Sequence, residues 1–104
     1  IKNYLKLNPK KILLDVRTQS EWDNYGKPDG KKLGLKTYFL TIKDEHFLEE
    51  FKDLLISKDC EILTMCKVGQ RSQFVAQLLE QENYICTNIS DGFDGWRSSD
   101  LPCV

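Results

Sequence analysis

Two periodicities alternate along this chain. Residues 12–16, Ile-Leu-Leu-Asp-Val, and residues 62–65, Ile-Leu-Thr-Met, are short apolar runs of the kind that form strands covered on both faces. Residues 37–42 and 84–89 are rich in β-branched and aromatic side chains and predict two further strands. Between the runs, apolar residues recur at helical spacing. Ile1, Tyr4, Leu5 and Leu7 predict a first helix, stopped at Asn8-Pro9. Phe47, Leu48, Phe51, Leu54 and Leu55 predict the apolar face of a helix capped by Asp44 and running to Ile56. Phe74, Val75, Leu78 and Leu79 predict another. Thr18 or Ser20 can cap a short helical turn carrying Glu21, Trp22 and Tyr25.

Glycine and proline punctuate residues 26–34 as a loop, where Lys27, Lys31, Lys32 and nearby Lys36 read first as a solvated face and second as a lure for an acidic donor or partner. Residues 90–95 read as a glycine-containing loop with Trp96 packed beneath it, and residues 97–104 as a polar, frayed end. Strands alternating with helices, without internal repeats, predict an α/β domain with a mostly parallel sheet and helices on both faces.

At 104 residues the chain is one domain, residues 1–104, with a single core that hides roughly two thirds of its unfolded surface. Fifteen basic and sixteen acidic side chains leave a net charge of -1, and no basic stripe interleaved with aromatics points to nucleic acid. No apolar run approaches the roughly 20 residues of a membrane span, and no charged-then-apolar stretch suggests a signal peptide. The chain starts at Ile1, as a trimmed or partial sequence would. Cys60, Cys66, Cys86 and Cys103 lack Cys-x-x-Cys spacing, which argues against a zinc knuckle or a thioredoxin motif and suits a reducing, cytoplasmic compartment. His46, the one histidine, starts a surface helix, so a Cys-His protease or a histidine metal site is a poor reading. No metal or organic cofactor is expected.

The candidate chemistry gathers at Cys66-Lys67-Val68-Gly69-Gln70-Arg71-Ser72, on a strand-to-helix turn. Gly69 allows the turn to be tight, and Ser72 is a candidate cap for the helix that follows. Unpaired amides at a helix start, with the charges of Lys67 and Arg71, favour thiolate over thiol and lower a cysteine pKa from its ordinary value near roughly 8.5. A buried cysteine ending a strand is the bland alternative. Cys60 and Cys86 read as structural and Cys103 as incidental. Asp15, Arg17 and Glu21 read as scaffold beside the site, with Glu21 or Asp15 pairing with Arg71.

These residues resemble a rhodanese-like domain. The resemblance rests on Leu14-Asp15-Val16-Arg17 followed by Glu21-Trp22, on the CKVGQRS loop with its helix, and on Asp91-Gly92-Phe93-Asp94-Gly95-Trp96. It implies a three-layer α/β/α fold with four or five mostly parallel strands, and since similar proteins carry a further strand and helix at the amino end, a chain truncated there is expected. It also implies a sulfurtransferase, working as a monomer without nucleic acid or membrane. In that reading Cys66 carries sulfane sulfur as a persulfide from thiosulfate or a persulfide donor to a thiol, cyanide or protein acceptor. Lys67, Val68, Gly69, Gln70 and Arg71 form the loop around that sulfur, supported by Asp15, Arg17, Glu21 and Ser72. Residues 26–30, Gly-Lys-Pro-Asp-Gly, depart from the Gly-His-Ile-Pro-Gly-Ala type of segment common in similar proteins, which leaves one pocket wall undefined.

Two other functions fit the same residues. A non-enzymatic partner-binding or persulfide-relay domain needs the loop without free turnover. A cysteine-based phosphatase uses a similar amide loop, but with five residues between its cysteine and arginine, where this chain has Lys67, Val68, Gly69 and Gln70.

Overall fold

A computed structural model describes residues 11–42 and 46–103. The helix read over residues 1–7 and the Asp44 cap lie outside them. Among the described residues four strands form one sheet: β1 (Lys11–Asp15), β2 (Lys36–Phe39), β3 (Glu61–Met65) and β4 (Ile85–Asn88), in the order β2-β1-β3-β4 with every pairing parallel. Four helices among the described residues accompany them: α1 (Gln19–Tyr25), α2 (Phe47–Lys52), α3 (Gln70–Gln81) and α4 (Gly92–Ser98). A 3-10 turn (Gly30–Leu33) interrupts the loop before β2.

Every residue of the two central strands, β1 and β3, is buried, as their unbroken apolar runs require. Successive side chains alternate between faces. Ile12, Leu14, Val16 and Ile62 pack with Phe47 and Phe51 of α2 and with Val75 and Leu79 of α3. Leu13, Leu63 and Met65 pack with Phe93 and Trp96 of α4. Two separate cores, one on each face, make a three-layer α/β/α domain.

Several boundaries differ from the sequence reading, each for a local reason. Residues 40–42 leave the β2 ladder yet still follow β1 outward, Leu40 N–H donating to Asp15 O at 3.0 Å and Ile42 N–H to Val16 O at 3.2 Å. Helix α2 stops at Lys52 rather than Ile56, because Leu55 turns left-handed at φ 55°. Leu55 is therefore exposed rather than on an apolar face. Phe74 is exposed as well, since α3 buries the stripe Ser72, Val75, Ala76 and Leu79, and Phe74 falls outside it.

β4 is shorter than residues 84–89, and the segment read as a loop over residues 90–95 becomes α4 from Gly92. Residues 97–103 are tied down rather than frayed. Leu101 is buried, the carbonyl of Pro102 accepts from Trp96 Nε1 at 2.7 Å and from Asp29 N–H at 2.8 Å, and Cys103 bridges Pro28. Among the described residues no helix is long and apolar enough to cross a membrane.

Candidate active site

Cys66 follows the last residue of β3 at the carboxyl edge of the sheet, and the loop it opens runs directly into α3. In open parallel sheets this edge is where ligands meet the fold. Two carbonyls of the loop are taken by the start of α4: Phe93 N–H donates to Cys66 O at 2.8 Å and Asp94 N–H to Lys67 O at 3.2 Å. With its carbonyls so engaged, the loop turns amides toward the sulfur, and Gly69 N–H lies 3.0 Å from Cys66 Sγ.

This approach of backbone to backbone explains two glycines. Gly69 has φ 102°, and a Cβ there would stand 2.2 Å from Ser90 O. Gly92 has φ 60°, and a Cβ there would stand 2.4 Å from Lys67 O.

Ser72 does not cap α3. Gly69 holds the cap position, and Ser72 sits in the first turn, fully buried, with its hydroxyl 3.4 Å from Cys66 Sγ. Burial pushes the Cys66 thiol up. The Ser72 hydroxyl and the amides of Ser72, Gly69 and Val68 outweigh it, so the pKa falls below the ordinary cysteine value.

The two basic side chains are differently placed than a pair of charges at the sulfur would be. Lys67 Nζ is 3.2 Å from Asp94 Oδ2 and 5.2 Å from the centre of the Tyr25 ring. Arg71 does feel the Cys66 charge, but its guanidinium is held by Glu21 in a two-point pair at 2.6 and 2.7 Å. Val68 and Gln70 are exposed, and of these two it is the Val68 backbone amide that serves the sulfur.

Glu21 is itself fixed, because it forms a capping box with Thr18 at the start of α1. Arg71 pulls its carboxyl down to about 2, and Thr18 assists. Asp15 belongs to a different pair. It accepts from Arg17 Nη2 at 2.8 Å, Arg17 also donates to Gly26 O at 2.9 Å, and the buried guanidinium stacks 4.0 Å from the Phe93 ring centre. Asp15 and Arg17 thus brace the helix whose amides pin the Cys66 loop.

Asn88 escaped the sequence reading. Its side chain donates to Gly69 O at 3.0 Å and accepts from Thr64 Oγ1 at 3.2 Å and from Ser72 Oγ. Asparagine is disfavoured in strands, and its place in an otherwise good strand was the available signal.

Lys27, Lys31 and Lys36, with Leu35 and Phe39, line a cavity of about 550 Å³ that no residue of the Cys66 loop borders. Among the described residues no group of three His, Cys, Asp or Glu side chains gathers as a metal site would.

Comparison with known proteins agrees with this architecture. An uncharacterized protein of Rickettsia prowazekii is 37% identical over 96% of this chain and 88% of its own. The crystal structure of Rv0390 from M. tuberculosis matches with a TM-score of 0.80 at 27% identity, covering 99% of this chain and 90% of that one. A Rhodopseudomonas palustris protein of unknown function, described as a possible tyrosine phosphatase, shares the fold alone. Its TM-score is 0.63 at 17% identity, over 91% of this chain and 71% of that one. The model of the rhodanese-like domain matches residues 2–99, nearly the whole chain, and by that match the chain belongs to the rhodanese-like domain family.

Proposed function

We propose that this domain is a sulfurtransferase whose Cys66 carries sulfane sulfur as a persulfide. The observation that carries the reading is the Gly69 amide 3.0 Å from Cys66 Sγ, inside a loop whose carbonyls are drawn away by α4. Such a loop stabilises a thiolate before reaction and an anionic terminal sulfur after it.

In the first half-reaction the Cys66 thiolate attacks the outer sulfur of thiosulfate. The bond between the two donor sulfurs breaks, sulfite leaves with the electron pair, and a Cys66 persulfide remains. In the second, an acceptor thiolate or cyanide attacks the terminal sulfur, and Cys66 departs as the thiolate it began as. No net redox change and no cofactor enter the cycle. Cys66 is only 1% exposed, which favours a small donor over a bulky one. A low-molecular-weight persulfide is the other donor this site would take, and a reducing cytoplasm is the compartment that keeps its thiol free.

The phosphatase reading has the fold of one structural neighbour behind it and the loop against it. Four residues between Cys66 and Arg71 leave a ring one residue shorter than the phosphatase pattern, suited to a sulfur atom rather than a tetrahedral phosphate. A relay that passes persulfide to a protein partner without free turnover would use the same Cys66 chemistry.

Intact-mass spectrometry after incubation with thiosulfate tests the proposal. A gain of one sulfur, about 32 Da, on the unmodified sequence and none on Cys66→Ser is the expected result. No gain with thiosulfate or a persulfide donor would overturn it in favour of a binding module. Hydrolysis of an aryl phosphate lost in Cys66→Ser would overturn it in favour of a phosphatase.

A further inference from the structure

Ser72 Oγ has one hydrogen and three acceptors around it. Asn88 Oδ1 is 2.5 Å away, Gly69 O 3.3 Å and Cys66 Sγ 3.4 Å. Ser72, Thr64 and Cys66 are all buried at 1% exposure or less, so bulk water does not take that hydrogen.

The orientation of the Asn88 amide is fixed by its neighbours. A carbonyl can only accept, so the group facing Gly69 O at 3.0 Å is the NH2. The oxygen therefore faces Ser72, and it also accepts from Thr64 Oγ1 at 3.2 Å.

We propose that Asn88 is a positioning residue for the Cys66 sulfur, its side-chain oxygen competing with that sulfur for the single hydroxyl hydrogen of Ser72. With the thiol protonated, Ser72 donates to Asn88 and its oxygen accepts from the S–H. On ionisation the proton leaves to water, the Ser72 hydroxyl turns its hydrogen to Sγ, and Asn88 Oδ1 keeps the Thr64 donor. The two oxygens, 2.5 Å apart with the hydrogen between them, draw apart to ordinary contact when it turns away, and the balance between the two acceptors sets how readily Cys66 ionises.

Among the described residues the charged groups around the sulfur are Arg71 of α3 with Glu21 of α1, the Lys67–Asp94 pair between the loop and α4, and the buried Asp15–Arg17 pair. Among the described residues none of these hydrogen-bonds to Ser72 or Asn88. The Ser72 hydrogen is thus a control on the sulfur separate from them.

The inference rests on Cys66 being the reactive sulfur. Its test follows the carbon NMR shift of Cys66 Cβ against pH without any sulfur donor, so its failure and a failure of sulfur loading are different results. Ser72→Ala should raise the Cys66 pKa. Asn88→Leu, which removes the competing acceptor, should lower it by about half a unit to one unit. In the Ser72→Ala background Asn88→Leu should change nothing further. If Asn88 acts only by bracing Gly69, its loss will raise the pKa in both backgrounds, and that outcome, or no shift at all, overturns the proposal. Asn88→Thr, which suits a strand and is too short to reach Ser72, tests the same signs should Asn88→Leu not fold.

Discussion

Glu21 and Arg71 stand fifty residues apart in sequence and meet in a two-point ion pair, Oε1 to Nη1 at 2.6 Å and Oε2 to Nη2 at 2.7 Å. The pair joins the first turn of α1 to the first turn of α3, so it fixes the far side of the Cys66 loop. It also gives the fold a dependence on acid. Arg71 draws the Glu21 carboxyl from its usual 4.5 down to about 2, so between those values the unfolded chain binds the proton that the folded chain refuses. The stabilisation is complete above pH 4.5 and is lost as the pH falls through about 2. Because the Arg71 side chain is 41% exposed, its worth is about 1 to 2 kcal/mol rather than the full linkage value. Denaturant melts of Glu21→Gln against the unmodified sequence should differ by that amount at pH 6 and converge below pH 2.

Gly69→Ala should be among the most damaging single-atom changes in the domain. It combines a left-handed φ of 102° with a Cβ 2.2 Å from the Ser90 carbonyl oxygen, and backbone cannot swing aside as a flexible side chain would. A loss of roughly 2 to 4 kcal/mol is expected. The loop can escape only by drawing its amides off the sulfur. Gly69→Ala should therefore raise the Cys66 pKa as well as lower the melting temperature. A variant with unchanged melting temperature would mean that the loop and Ser90 are not pressed together.

Pro102 O is the knot that ties the carboxyl-terminal segment, accepting from both Trp96 Nε1 and Asp29 N–H. Trp96→Phe keeps the apolar ring in the core but deletes one of the two donors. A cost of about 1 to 2 kcal/mol is expected, with part of it from the smaller ring. Amide hydrogen exchange at Asp29 should quicken in the variant, since its acceptor is then held by one bond fewer. Unchanged exchange would show that the Pro28–Cys103 bridge alone anchors the segment.

The parts of this fold that could be read from the sequence are those set by neighbours in the chain. The apolar runs of β1 and β3, the short helix carrying Glu21 after a cap at Thr18 or Ser20, and the turn at Gly69 each follow from residues within a few positions of one another. Only the structure chooses Thr18 as that cap. What escaped depends on distance or on competition. Both Asp15 and Glu21 are carboxylates near the sheet edge, and only the fold assigns one to Arg17 and the other to Arg71. Ser72 has the chemistry of a cap, yet Gly69 takes that position because the crowding by Ser90 leaves room for no other residue. α4 was hidden because Gly92 and Gly95 look like loop residues until the close approach of Lys67 O and of the Asp91 side chain is known. Asn88 is a polar residue in a strand, and its partners come from β3 and α3.

The source of thiolate stabilisation can be separated from mere positive charge. From the sequence, Lys67 stands next to the sulfur and would be expected to lower its pKa as a full cation. In the fold its ammonium is 3.2 Å from the Asp94 carboxylate, its side chain is 37% exposed, and the hydrogen bonds that favour the thiolate come from Ser72, Gly69 and Val68. A solvated, neutralised charge acts weakly through water, whereas a hydroxyl and amides in a buried loop act at full strength. Lys67→Gln should then raise the Cys66 pKa by no more than a few tenths of a unit, while Ser72→Ala raises it by about one unit. Measured by the same Cβ titration, a Lys67→Gln shift as large as that of Ser72→Ala would mean that the cation, not the hydroxyl and loop amides, holds the anion.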